Sequence, residues 1–286
     1  MQRKHLNGDD EADQPPGAPR DWRDVNPARL VDDILVSLAF LTRLPLDVPA
    51  ELFEKRPLTI ASRAFPVAGA IIGLLGGLVY WFTAWLGLPV NVSAAITLAA
   101  LLMITGAFHE DGLADVADGF GGGWSRERKL EIMRDSRLGT YGSAALICTL
   151  LLRFTLITAY ARLEGGGTGG ASIVINVLIA SGAVSRCVAI IVQHLVPPAR
   201  TEGTGARAGR PLEVTVLQAM VAAGIIVFLA VNPVSAVMGI VAALGAGAAV
   251  AFLAHRQIGG QTGDVLGATQ QAAEVAFLIA GLMVHP

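Results

Sequence analysis

This chain is poor in charge and almost free of cysteine. Of its 286 residues only 15% are charged while 53% are hydrophobic, and the mean hydropathy is +0.58. That composition excludes an ordinary water-soluble domain. Its two cysteines, Cys148 and Cys187, lie inside apolar segments and are too few for a disulfide framework or a thiolate metal site. The first 28 residues lack an apolar stretch and are polar and rich in proline and acid. They argue against a cleaved signal peptide and are expected to form a disordered tail. No soluble block of domain size follows, so residues 29–286 are expected to form one membrane-embedded domain. The net charge of -2 indicates no class of partner, and none of the nucleic-acid type is expected.

What the chain has in abundance is long apolar runs. Segments near 65–87, 91–109, 141–161, 171–196, 214–231, 234–254 and 265–284 each approach the roughly 20 residues that cross a bilayer. The expected fold is therefore all-α, a polytopic helical bundle of about seven transmembrane helices. The apolar segment 30–44 is shorter and carries Asp32, Asp33 and Arg43, which suits a helix lying in the interface. Lys55, Arg56, Arg63, Arg126, Arg128, Lys129, Arg134, Arg137, Arg200, Arg207, Arg210 and Arg256 all fall on one side of this seven-span arrangement. By the bias of basic loops, that side is expected to be cytoplasmic.

The same side collects the polar motifs. His109-Glu110-Asp111-Gly112-Leu113-Ala114-Asp115-Val116-Ala117-Asp118-Gly119 ends the second run. Continued as helix, it places Asp111, Asp115 and Asp118 at i, i+4 and i+7, on one face. Three carboxylates there repel one another unless a cation lies between them, and a divalent ion holding a phosphate-bearing substrate suits that need. The bland alternative is that they cap helix ends or pair with the following arginines. Asp135-Ser136-Arg137-Leu138-Gly139-Thr140-Tyr141-Gly142 combines glycines that admit a close ligand with Arg137, and with Arg134 just before it, as phosphate binders. Pro197-Pro198-Ala199-Arg200, followed by Gly203-Thr204-Gly205, is a third polar stretch. In the fourth, Thr262-Gly263-Asp264 brings a further carboxylate to the start of the last span. His109 reads as a hydrogen-bonded helix-end residue before it reads as a general base or a metal ligand. Arg186 and Glu274 lie within spans and must face a partner or a cavity.

Taken in order, Leu41-Thr42-Arg43-Leu44-Pro45, Phe65-Pro66, the His109–Gly119 motif, Ile132-Met133-Arg134-Asp135-Ser136-Arg137-x-Gly139-Thr140-Tyr141-Gly142 and Thr262-Gly263-Asp264 resemble the cobalamin synthase family. These are the adenosylcobinamide-GDP ribazoletransferases of the bacterial inner membrane, and the resemblance runs from about residue 30 to the end. It implies transfer of α-ribazole or its 5′-phosphate to adenosylcobinamide-GDP, with release of GMP and formation of adenosylcobalamin or its phosphate. Magnesium is the implied cofactor, the lipid bilayer the implied surroundings, and a homo-oligomer is compatible with it. On this reading Asp111, Asp115 and Asp118, joined by Asp264, hold the metal. Arg134, Asp135, Ser136, Arg137, Arg200, Thr262 and Gly263 bind substrate. The 5′-hydroxyl of the ribazole attacks, and an unligated aspartate or His109 takes its proton. The runner-up is a CDP-alcohol phosphotransferase, whose acidic motif this one resembles only loosely, lacking the Ala-Arg pair expected after the first Asp-Gly, since Leu113-Ala114 is followed by Asp115. A cation-coupled transporter fits less well, because its acids belong near the bilayer midplane and in repeated broken helices.

Overall fold

The computed structural model describes residues 29–200 and 209–284; the expected tail over 1–28, the Gly203-Thr204-Gly205 stretch and Arg207 lie outside the described residues. Regular structure among the described residues is helical, with one isolated parallel bridge between Pro198 and Gln261. Three short helices, α1 (Leu30–Leu41), α2 (Ala50–Lys55) and α3 (Leu58–Ala61), precede α4 (Phe65–Trp85). Next come α5 (Val90–Thr105), α6 (Phe108–Gly122) and α7 (Arg126–Ile132). The long helices α8 (Thr140–Leu163), α9 (Ala171–Leu195), α10 (Glu213–Ala230), α11 (Pro233–Ile258) and α12 (Gly263–Met283) complete the described chain.

Among the described residues six stretches are long and apolar enough to cross a membrane: 58–85, α8, α9, α10, α11 and α12. Pro66 opens α4 in the first turn, where its missing N–H costs nothing. The expected span over 91–109 takes a different form. Helix α5 stops at Thr105, and α6 leaves it at a bend of 88°. Its 16 residues rise only about 24 Å, so a seventh crossing is counted only when this bent pair is taken as one span.

The cause of the bend is local. Gly106 has φ +64° and Ala107 φ +53°, two consecutive left-handed residues that no helix can continue through. Alanine pays about 1 kcal/mol or more for that conformation, and a neighbouring segment holds it there. The Arg43 N–H donates to the Ile104 carbonyl at 2.7 Å, and its side chain lies so close that a Cβ on Gly106 would come within 2.7 Å of Arg43 Cγ. The Leu41–Pro45 motif is thus the clamp on the α5–α6 bend.

Helix α1 has 12 residues, too short to cross. Its buried Asp33 accepts from Arg56 Nε and Nη2 at 2.6 and 2.7 Å and from Arg63 Nε at 2.5 Å, tying α1 to the chain entering α4. Small residues set the spacing of the bundle. A Cβ on Gly69 would lie 2.1 Å from the Gly182 carbonyl oxygen, and one on Gly73 2.1 Å from that of Leu178. Glycines four apart therefore let α4 and α9 meet backbone to backbone, the packing that lipid-embedded helices favour.

Candidate active site

Helix α6 carries the three aspartates on one face, as their spacing requires. Asp111 is exposed, Asp115 half-buried and Asp118 buried. Glycines bring this helix onto the start of α12: a Cβ on Gly112 would meet the Asp264 carbonyl oxygen at 2.8 Å, and one on Gly267 the His109 carbonyl oxygen at 3.2 Å. Asp264 therefore joins the acidic face, and the charges of Asp264, Asp111 and Asp118 all bear on Asp115, countered by Arg200.

Arg200 reaches this point by a specific route. Ala199 N–H donates to the Gln261 carbonyl and Gln261 N–H to that of Pro197, each at 2.8 Å. The bridge clamps the two polar motifs side by side. Arg200 Nη2 then donates to Asp264 Oδ2 at 3.1 Å, as does Thr262 Oγ1 at the same distance. Thr262 also caps α12 by accepting from Val265 N–H. Arg200 Nη1 is buried and has no hydrogen-bond partner among the described residues. A buried guanidinium N–H left over beside a helix N-terminus is a donor waiting for an anion.

Asp118 has a different set of partners. Its two oxygens accept the backbone N–H groups of Gly139 and Gly142 at 2.7 and 2.8 Å. It thereby holds the glycine-punctuated loop and caps the first turn of α8. The glycines are required by contact: a Cβ at 139 would stand 2.4 Å from Asp118 Oδ1, and one at 142 2.3 Å from Oδ2.

Arg137 pairs in the structure with Asp135, not with the acidic face, through Nη2 to Oδ2 at 2.5 Å. It holds the Asp135 carboxyl down at about 2. Arg134 and Ser136 are exposed on the same loop. Arg126 is a strut: Nε donates to the Ile258 carbonyl at 2.7 Å and Nη2 to that of Ala199 at 2.6 Å.

The donor set suits a hard cation, since every candidate ligand is a carboxylate oxygen. Among the described residues no three His, Cys, Asp or Glu side chains already converge on one ion. Magnesium does not require such a cage. It keeps several waters and takes one or two carboxylates together with substrate phosphates, which Asp111 and Asp115, flanked by Asp264, can provide.

A buried polar network beneath this face escapes simple reading of the sequence. Arg153 donates from Nη1 to Glu110 Oε1 at 2.6 Å, and its Nη2 lies 2.9 Å from Glu274 Oε1. Gln271 Nε2 donates to Glu110 Oε1 at 3.1 Å and Gln270 Nε2 to Glu274 Oε2 at 2.6 Å. Arg186 stands 3.7 Å from Glu274 Oε2. Two arginines and two glutamates neutralise one another inside the bundle and lock α6, α8, α9 and α12 together. The available signal was a charge within an apolar run, which Arg153 shares with Arg186 and Glu274.

The protein-family model described as cobalamin-5-phosphate synthase matches residues 33–282. The chain belongs to this family. It is 42% identical over 250 residues to an adenosylcobinamide-GDP ribazoletransferase of Bradyrhizobium diazoefficiens, covering 87% of this chain and 93% of that one. Proteins of the same name from Azorhizobium caulinodans (39% identical, 90% of this chain and 97% of that one) and Mesorhizobium japonicum (41%, 89% and 94%) are similar over nearly the same extent. No solved structure matches. Membership of the cobalamin-5-phosphate synthase family decides against the CDP-alcohol and transporter readings, and the acidic α6 and the α12 turn fall within the matched region.

Proposed function

We propose that this chain transfers α-ribazole, or its 5′-phosphate, to adenosylcobinamide-GDP and releases GMP. The observation that carries the reading is the buried Arg200 Nη1 without a partner, placed beside Asp264 at the N-terminus of α12 and next to the carboxylates of α6. A diphosphate substrate supplies the anion that this donor lacks.

The reaction exchanges one phosphoryl bond for another. A ribose hydroxyl oxygen of the acceptor bonds to the phosphorus that stays with cobinamide, and the bond from that phosphorus to the oxygen of GMP breaks. A product that keeps a phosphate on its 5′ oxygen cannot have used that oxygen as nucleophile. The 5′-hydroxyl attack expected from the sequence therefore gives way to attack by a secondary ribose hydroxyl. Such transfers demand positioning and charge neutralisation. Asp111 and Asp115 would hold magnesium, with Asp264 as a further oxygen donor. Magnesium, when bound, neutralises charge on the diphosphate and on the departing GMP. Arg200 holds a phosphate oxygen through its spare N–H, and the α12 N-terminus adds backbone dipole. Asp118 keeps the Asp135–Gly142 loop over the site, which presents Arg134 and Arg137 to the nucleotide. The hydroxyl's proton passes to a carboxylate of the cluster. His109 stands two residues before Asp111, about 200° round the helix, and is buried away from the acidic face. We place the protein in the bacterial inner membrane with this face toward the cytoplasm, because the basic loops share it.

The test is reconstitution of the full chain in lipid nanodiscs with adenosylcobinamide-GDP, magnesium and either form of the ribazole. Equimolar GMP and a corrinoid carrying the ribazole are expected. No GMP with either acceptor overturns the reading.

A further inference from the structure

An aromatic cleft lies beside the acidic face, between α1, the entry to α4, the first turn of α6, the end of α9 and the start of α12. It is partly open to solvent and is walled mainly by apolar and aromatic side chains, as small-molecule sites are. Phe40 organises its wall: it stacks on Phe65 at 5.8 Å between centroids with an interplanar angle of 14°, and meets Phe108 edge-on at 5.5 Å and 80°. Gly263 and Gly267 of α12 also border it, so the cleft abuts the turn that carries Asp264.

Two polar side chains on this wall point to a ligand. Ser62 is 2% exposed and Arg186 4% exposed, both border the cleft, and Ser62 Oγ and Arg186 Nε have no hydrogen-bond partner among the described residues. Buried donors are left unmade at a real cost, and both side chains border an aromatic-lined space. A planar, weakly polar heterocycle with one or two acceptors satisfies the pair while filling the rest.

Resting on the transferase reading above, we propose that this cleft holds the aromatic base of the ribazole acceptor. The competing base is the guanine of the donor. Guanine presents several N–H groups that call for a carboxylate, and among the described residues no carboxylate borders the cleft. The benzimidazole-type base of a ribazole has a single acceptor nitrogen and an apolar edge, which match Ser62 and the phenylalanines. Seated there, the base directs its ribose along Gly263 toward Asp264 and the cation-binding face.

Two variants of the full chain in nanodiscs test this. Ala189→Phe fills the cleft from α9, and Phe108→Leu removes one aromatic wall at an exposed position, so it carries the test if the first variant does not fold. Each is expected to raise the KM for the ribazole at least 10-fold, with the KM for adenosylcobinamide-GDP within twofold of the starting protein. In equilibrium dialysis, free dimethylbenzimidazole is expected to bind the unaltered protein and to be lost from both variants. A rise confined to the KM for adenosylcobinamide-GDP assigns the cleft to the donor and overturns the proposal, as does no change in either KM. Absence of GMP release by the unaltered protein would instead mark failure of the transferase reading, while the dialysis still decides whether the cleft binds the base.

Discussion

Arg200 donates to Asp264 at 3.1 Å across 64 residues of chain, and it is the cation that counters the carboxylates around Asp115. Its second terminal nitrogen has no hydrogen-bond partner among the described residues. Arg200→Ala is expected to lower kcat/KM for adenosylcobinamide-GDP by at least about 100-fold, the usual scale for losing a donor to developing charge. Arg200→Lys keeps the charge but not the two-pronged geometry, so it should recover only part. Steady-state GMP release measures both; full activity of the alanine variant would remove Arg200 from the site.

Asp118 and the other two acids of α6 are expected to behave differently. Asn at 118 retains one acceptor oxygen for two backbone N–H groups, at a cost of about 1–3 kcal/mol. Asp118→Asn should loosen the 134–142 loop, seen as faster proteolysis there, and its activity loss should not respond to added magnesium. The losses in Asp111→Asn and Asp115→Asn should be partly recovered at high magnesium. Recovery of Asp118→Asn by magnesium would instead make it a metal ligand.

Gly112 tests how closely the two halves of the site must meet. Its Cβ would stand 2.8 Å from the Asp264 carbonyl oxygen, so Gly112→Ala pushes α6 off α12 by a few tenths of an ångström. Displacements of up to 1 Å can cost about 100-fold in rate. Activity is expected to fall at least 10-fold, and the thermal midpoint to drop as well, because overpacking against backbone costs about 1–3 kcal/mol. An unaffected rate would show that Asp264 does not act together with the α6 acids.

The buried charges carry the fold. Arg153 is 5% exposed between Glu110 and Glu274. Removing one partner leaves uncompensated charge in the apolar interior, typically about 3–5 kcal/mol. Arg153→Met should therefore melt well below the starting protein in a thermal-shift measurement in detergent, and Glu274→Gln should also destabilise it. A melting point within one or two degrees in the arginine variant would contradict the network's structural role.

How legible was this in the sequence? The spans followed from apolar length, and the shared face of Asp111, Asp115 and Asp118 followed from helical spacing alone. The bend between α5 and α6 did not, because Ala107 adopts a left-handed conformation for which alanine gives no local signal. Only the contact with Arg43 shows why it is held. Arg137 reads as free to meet the acids, yet Asp135, two residues away, takes it. Asp118 reads as the equal of its two neighbours, and what separates it is a pair of amides 21 and 24 residues onward. Spacing within a helix is visible in a sequence; partners brought by other helices are not.

The most direct test of the acidic site compares the unaltered protein with Asp111→Asn and Asp115→Asn, following GMP release against magnesium concentration. The expected result is magnesium-dependent release by the unaltered protein and a rate at least about 100-fold lower in each variant at the same magnesium. Equal rates and equal magnesium dependence in all three would contradict the assignment of these aspartates to the metal.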